Sequence, residues 1–268
     1  MQSLSRAIRA ALLTADPTQK CFATRECVRR WRKGELAWTF DCEMPDEPAR
    51  PSQPELLPPS QMPRRSKGSS EKGRIALWHS LAHIEFVAID LALDIVGRFG
   101  REFADEAKGR EFADDFLSVA ADEAMHFALL ARKLRSLGSQ YGALPAHGGL
   151  WQSAYETRED FAGRLAVVPM VLEARGLDVT PATLSRVEAA GDTNGARILK
   201  RILDDEIRHV GFGTKHFIAL AQAHGEKPET AWIRLVKTYF RGAIKPPFND
   251  SARLAAGLSR EFYENIAS

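Results

Sequence analysis

The sequence is short of several things, and each shortage removes a class of protein. Its three cysteines, Cys21, Cys27 and Cys42, cluster near the N-terminus with neither Cys-x-x-Cys zinc spacing nor the numbers of a disulfide framework. They read as reduced thiols of a cytoplasmic protein. No run of eighteen apolar residues occurs, so no spanning helix and no membrane partner is expected. The first residues are interrupted by Ser3, Arg6, Arg9 and Thr14 and lack the apolar core of a secretory signal. A net charge of +2 gives no global field favouring nucleic acid or a lipid surface. Apolar residues alternating with a period of two are not found, which leaves helix as the expected element.

What is present is a repeated pair. Asp204-Asp205-Glu206-Ile207-Arg208-His209 and Asp122-Glu123-Ala124-Met125-His126 each place a Glu three residues before a His. On a helix both side chains leave the same face one turn apart. With 7 His and 20 Glu in 268 positions, chance supplies roughly half of one such pair, and there are two. Surface pairing at i, i+3 is the alternative. Against it, Leu199, Ile202, Glu206, His209, Gly213, His216 and Leu220 advance in steps of three and four. Phe116, Val119, Glu123, His126, Leu130, Leu134 and Leu137 nearly do the same. Polar pairs in the middle of apolar stripes cost several kcal/mol, roughly, unless an ion or a hydrogen-bond network satisfies them.

Two more inward carboxylates follow from the same patterning. Residues 74 to 98 carry Trp78, Leu81, Ile89, Ala92 and Val96 in a stripe broken by Glu85, and a helix over 157 to 175 carries Ala162, Leu165, Pro169 and Glu173. Glu85, Glu123 with His126, Glu173, and Glu206 with His209 make four carboxylates and two imidazoles on four helices, the ligand set of a dinuclear site. The oxygen and nitrogen donors suit two iron ions, or manganese or a mixed pair, better than calcium or structural zinc. Glu123 and Glu206 are expected to bridge, Glu85 and Glu173 to be terminal, and each His to bind one ion. Asp122 and Asp205 either orient a His by accepting from it or are solvated at the surface.

The expected organisation is all-α. Residues 1–43 form an N-terminal helical extension (helices over 4–14 and 17–33), 44–73 a Pro/Ser-rich linker, 74–224 a four-helix bundle, and 225–268 C-terminal helices over 228–241 and 250–265. Arg25, Arg29, Arg30, Arg32 and Lys33, with the cluster Pro63-Arg64-Arg65-Ser66-Lys67, allow a nucleic-acid contact, although a solvated helix face explains the first group as well. His79 and His83 are spaced as a metal pair but point away from Glu85, and are expected on the outer face with Asp90 and Asp94 on the other side. The long connection from Ser139 to about Ser153 is a crossover between parallel helices, and either only that or one wall of a pocket. Pro169 should kink its helix before Glu173, opening coordination space or being merely tolerated. The helix should stop at Gly176, with a short new one starting at Thr180-Pro181. Gly211 and Gly213 leave room for a pocket or oxygen channel, or serve close helix packing.

Residues 74 to 224 resemble the ferritin-like di-iron carboxylate superfamily, whose six-ligand pattern they carry whole, including Asp205-Glu206-Ile207-Arg208-His209. Pro145-Ala146-His147-Gly148-Gly149-Leu150-Trp151, Glu173-Ala174-Arg175-Gly176-Leu177-Asp178 and Pro247-Phe248-Asn249 resemble more narrowly an uncharacterised ferritin-like family, domain of unknown function 455. The resemblance implies a ferritin-like bundle with a long crossover between its second and third helices. It also implies a di-iron oxidoreductase, a hydroxylase or oxidase taking dioxygen, an electron donor and a small or nucleotide-like substrate that the family does not name. Iron handling with ferroxidase activity, or a scaffold with a structural metal, are the alternatives. The oligomeric state is not readable.

Overall fold

In a computed structural model the described residues are 1–62 and 70–267. The basic cluster at residues 63 to 67 lies outside them. The protein is mostly helical and divides into two compact units, Met1–Trp151 and Gln152–Ser268.

The first unit is built on two long helices, α3 (Glu71–Phe99) and α4 (Glu106–Ser136), preceded by α1 (Leu4–Leu12) and α2 (Pro17–Arg32). Each start is written locally. Asp16 accepts from Gln19 N ahead of Pro17, Ser70 from Gly73 N, and Asp105 from Ala107 N. Gly138, with φ of 69°, ends α4 in the left-handed turn that lets Ser139 N reach the Leu134 carbonyl. The α3–α4 contact is the most extensive in the chain, and α1 lies on α3 and α2 on α4.

Residues 85 to 97 of α3 are buried without a break, so the helix is covered all round and not along one stripe. This corrects the expected outer faces. His79 and His83 are buried beneath the crossover after α4. His79 Nε2 accepts from Gly142 N (3.0 Å) and Leu144 N (3.4 Å), while His83 bonds the Tyr141 hydroxyl (3.0 Å) and the His147 carbonyl (3.2 Å). Asp90 and Asp94 are also fully buried. Lys20, inside α2, forms an ion pair with Asp90, and Arg98 forms one with Asp94.

The chain between α2 and α3 wraps this unit. Arg98 donates to the Pro45 carbonyl, Trp151 Nε1 to that of Asp46, Ala49 N to that of Leu12 and Leu57 N to that of Ala146. The expected absence of strands is corrected only by β1 (Gln2–Ser3) paired in parallel with β2 (Leu36–Ala37), too short to show a period.

α5 (Gly149–Glu156) forms inside the stretch expected to be connection and runs across the unit boundary. The second unit continues with α6 (Phe161–Val167), a π-helical segment Val168–Glu173, α7 (Ala174–Ala189) and α8 (Thr193–Ala223), followed by α9 (Pro228–Tyr239), α10 (Asp250–Ala255) and α11 (Arg260–Tyr263). The predicted stop at Gly176 is wrong, because α7 runs on through Pro181. Proline cannot donate to the Leu177 carbonyl, but Asn249 Nδ2 does so instead at 3.1 Å, and Asn249 N donates to Asp178. Arg253 then grips Asp178 with two hydrogen bonds of 2.8 and 2.7 Å. The single helix expected over 250–265 is two, separated around Gly257 at φ of 75°.

Candidate metal centre

In the first unit α3 supplies Glu85 and α4 supplies Glu123 and His126, one turn apart. Their ligand atoms lie within 4.8 Å of one another, a buried group that could hold a metal ion. His126 Nδ1 stands 3.3 Å from Glu123 Oε2 and 3.4 Å from Glu85 Oε2. Glu85 is 4% exposed and the other two 0%. Burial, then the adjacent Glu123 charge, pushes the Glu85 carboxyl well above the usual carboxylate range, and His126 opposes this. Glu85 Oε2 is buried and makes no well-formed hydrogen bond, His126 Nδ1 lying 3.4 Å away. Two carboxylates and an imidazole held together away from water are what a cation would relieve.

The second unit brings Glu206 and His209 of α8 together less tightly, with His209 Nδ1 3.7 Å from Glu206 Oε2, beyond a hydrogen bond. His209 is fully buried and Glu206 only partly. Glu173, also half-buried, is the last residue of the π-helical segment. Pro169 explains that segment: without an N–H it leaves the Leu165 carbonyl unserved, and the helix widens over the following turn. The Pro169 ring sits where a Cβ on Gly213 of α8 would be. Gly213 therefore serves close packing and leaves no channel. At Gly211 an added Cβ would meet Ala256 backbone only at 3.8 Å, an ordinary contact, so close packing does not require that glycine.

Of the two flanking acids, Asp205 is buried and accepts from Arg201 Nε (2.6 Å) and Arg208 (3.4 Å), while Asp122 is half-buried on α4. His79 and His83 do not join Glu85, since their ring nitrogens are engaged by the crossover. Burial holds His83 down at about 4, so its ring is neutral at neutral pH. On the basic side of α2, Arg29 pairs with Glu26 and Arg30 with Glu35, and Trp31 is turned inward to Asp114.

The sequence reading missed the buried Lys20–Asp90 pair. Its signal was there, since Lys20 falls in line with Thr24, Cys27 and Trp31 at helical spacing on the buried side of α2. It also missed Arg50, in the irregular wrap, where no periodicity marks a side chain as inward.

Fold and geometry together define a helical protein with buried Glu/His groups on long capped helices. The chain belongs to the family described as "Protein of unknown function (DUF455)", whose profile matches residues 13–264. It is 37% identical over 263 residues to an uncharacterised protein of Haemophilus influenzae, covering 94% of this chain and 90% of that one. No solved structure matches it. No helix among the described residues is long and apolar enough to cross a membrane.

Proposed function

We propose that the Glu/His groups of the two units serve one dinuclear metal centre, that residues 74 to 224 form a ferritin-like bundle around it, and that the protein is an oxygen-activating di-iron oxidoreductase. The observation that carries this reading is the buried Glu85–Glu123–His126 group. Its donor chemistry fits: carboxylates and imidazoles without thiolate suit iron or manganese, and four glutamates balance two divalent ions. Glu173 and His209 repeat the pattern on the π-helical segment and α8.

In this reading Glu85, Glu123, His126, Glu173, Glu206 and His209 would hold the two ions. When bound, the iron pair supplies the electrons for reaction with dioxygen. The chain's own contribution is to fix the donors on capped helices and to keep water away: Phe86 and Phe127, each adjacent in sequence to a ligand, pack ring to ring at 5.3 Å. The substrate is a small or nucleotide-like molecule, and the electron donor is a separate protein or reductant.

Metal analysis of protein purified without added metal, followed by anaerobic iron(II) loading and oxygen-uptake measurement, tests the reading. Two irons per chain with oxygen consumption support it. Zinc alone, or no metal with unchanged stability, would sink it, and continuous conversion of added iron(II) to ferric mineral would replace it with iron handling.

A further inference from the structure

A second polar site lies in the first unit, on the face of α3 where His79 and His83 are engaged. The wrap between α2 and α3 and the crossover after α4 form the walls of a small open cleft lined by Arg50, Pro51, Leu56, His83, Phe86 and Tyr141. The walls are joined by backbone hydrogen bonds, Leu57 N to the Ala146 carbonyl (2.8 Å) and Ala146 N to that of Glu55 (2.9 Å). The cleft is thus already formed without a ligand.

The polar groups of this cleft are unequal. His83 Nε2 faces the His147 carbonyl and carries the proton, so Nδ1 accepts from the Tyr141 hydroxyl, and both donors are spent inside the protein. Arg50 is different. Its Nη2 is buried and makes no hydrogen bond, and among the described residues the guanidinium forms no ion pair. Its carbon stands 5.9 Å from the Trp151 ring centroid, a contact that steers the side chain without taking up its N–H groups. The nearby buried charges Lys20 and Asp90 answer each other. One cation with open N–H donors therefore faces a cleft otherwise walled by Pro51, Leu56, Phe86 and the Tyr141 ring.

We propose that this cleft binds a small organic monocarboxylate, its head on Arg50 and its apolar body against Leu56 and Phe86. A carboxylate accepts two parallel N–H bonds from a guanidinium and brings one negative charge to one positive charge. A phosphate monoester brings about −1.5 to −2 and needs donors that Tyr141 and His83 have already committed. The cleft is small and open to solvent, so the ligand is a short chain or single ring that stays partly in water. None of the residues lining the cleft is a proposed metal ligand, although Phe86 adjoins Glu85 in sequence.

Isothermal titration of the full chain with hexanoate, hexanamide and inorganic phosphate tests this. The expected result is saturable hexanoate binding, at least tenfold weaker hexanamide and phosphate, and at least tenfold weaker hexanoate binding in Arg50→Gln. Should Arg50→Gln fail to fold, Leu56→Glu replaces it. Leu56 is 42% exposed, so this variant should melt like the wild type while a carboxylate on the wall repels hexanoate at least tenfold. Four results would overturn the proposal: no saturable hexanoate binding, equal binding of the amide, tighter binding of phosphate, or hexanoate affinity unchanged in Arg50→Gln or Leu56→Glu. The last would place the carboxylate on a bound metal or elsewhere.

Discussion

The two Glu/His groups repeat in sequence but not in surroundings. In the first unit, Leu81 stands four residues before Glu85 and Leu130 four after His126 on uninterrupted helices, and Glu85, Glu123 and His126 are all buried. In the second, the corresponding positions are Pro169 and Gly213. The proline widens its helix into a π segment, the glycine receives the ring, and Glu173 and Glu206 are only part-buried. Where the first group has two leucines the second has a proline and a glycine, which gives up helix regularity beside one set of proposed ligands and keeps it beside the other. The first group is closed by burial, whereas the second has the looser geometry in which, on the proposed reading, exchange at a metal would be cheaper.

The largest effect should come from the first group. Glu123→Ala is expected to weaken metal binding by at least about 100-fold, since even residues that only support metal ligands cost about 10- to 100-fold. His209→Ala should also lower metal content sharply but leave a tightly held, slowly exchanging residual ion on the first group, read by metal analysis before and after chelator challenge. Equal retention of one tightly held ion in both variants would break the comparison. Metal retained undiminished in both would remove the ligand assignment itself.

The long helices and the inward Glu and His residues were legible because each rests on local rules. Apolar steps of three and four are written within a turn or two of sequence. What was not legible depends on distant partners. The burial of His79 and His83 depends on a crossover some sixty residues later, and that of Asp90 on Lys20 seventy residues earlier. The run of α7 through Pro181 depends on Asn249 supplying the missing donor from beyond α9. In each case a stripe named one face correctly and said nothing of what covers the other. The π segment falls between: Pro169 announced a distortion, but its form is set by Gly213 across the helix contact.

Gly213→Ala probes that contact directly. A methyl group there meets the Pro169 ring, which is rigid, so backbone must move, at a cost of roughly 1–3 kcal/mol. Thermal denaturation of the metal-free protein should show the loss. In metal-loaded protein, the variant should change chelator release from the weaker site and not the tighter one. If melting is unaltered, the Pro169–Gly213 contact is not what shapes the second group.

The smallest expected effect lies in the first unit and concerns the crossover. His79 Nε2 accepts from Gly142 N and Leu144 N, so the ring must be unprotonated at that nitrogen, and burial lowers its proton affinity in the folded protein. The sign follows. Above the ordinary imidazole value of 6.5 the folded and unfolded chains are both neutral at this residue, and its contribution is fully present. As pH falls through that value the unfolded chain takes up a proton that the folded chain resists, so stability is lost. His79→Gln keeps an acceptor for the two N–H groups but cannot titrate. Its stability between pH 7 and 5, from denaturant unfolding of metal-free protein, should fall less steeply than the wild type's. Metal content should not change. Loss of metal in His79→Gln would instead move the ligand set onto the crossover face of α3, away from Glu85, and end the contrast between a closed and a loosened half.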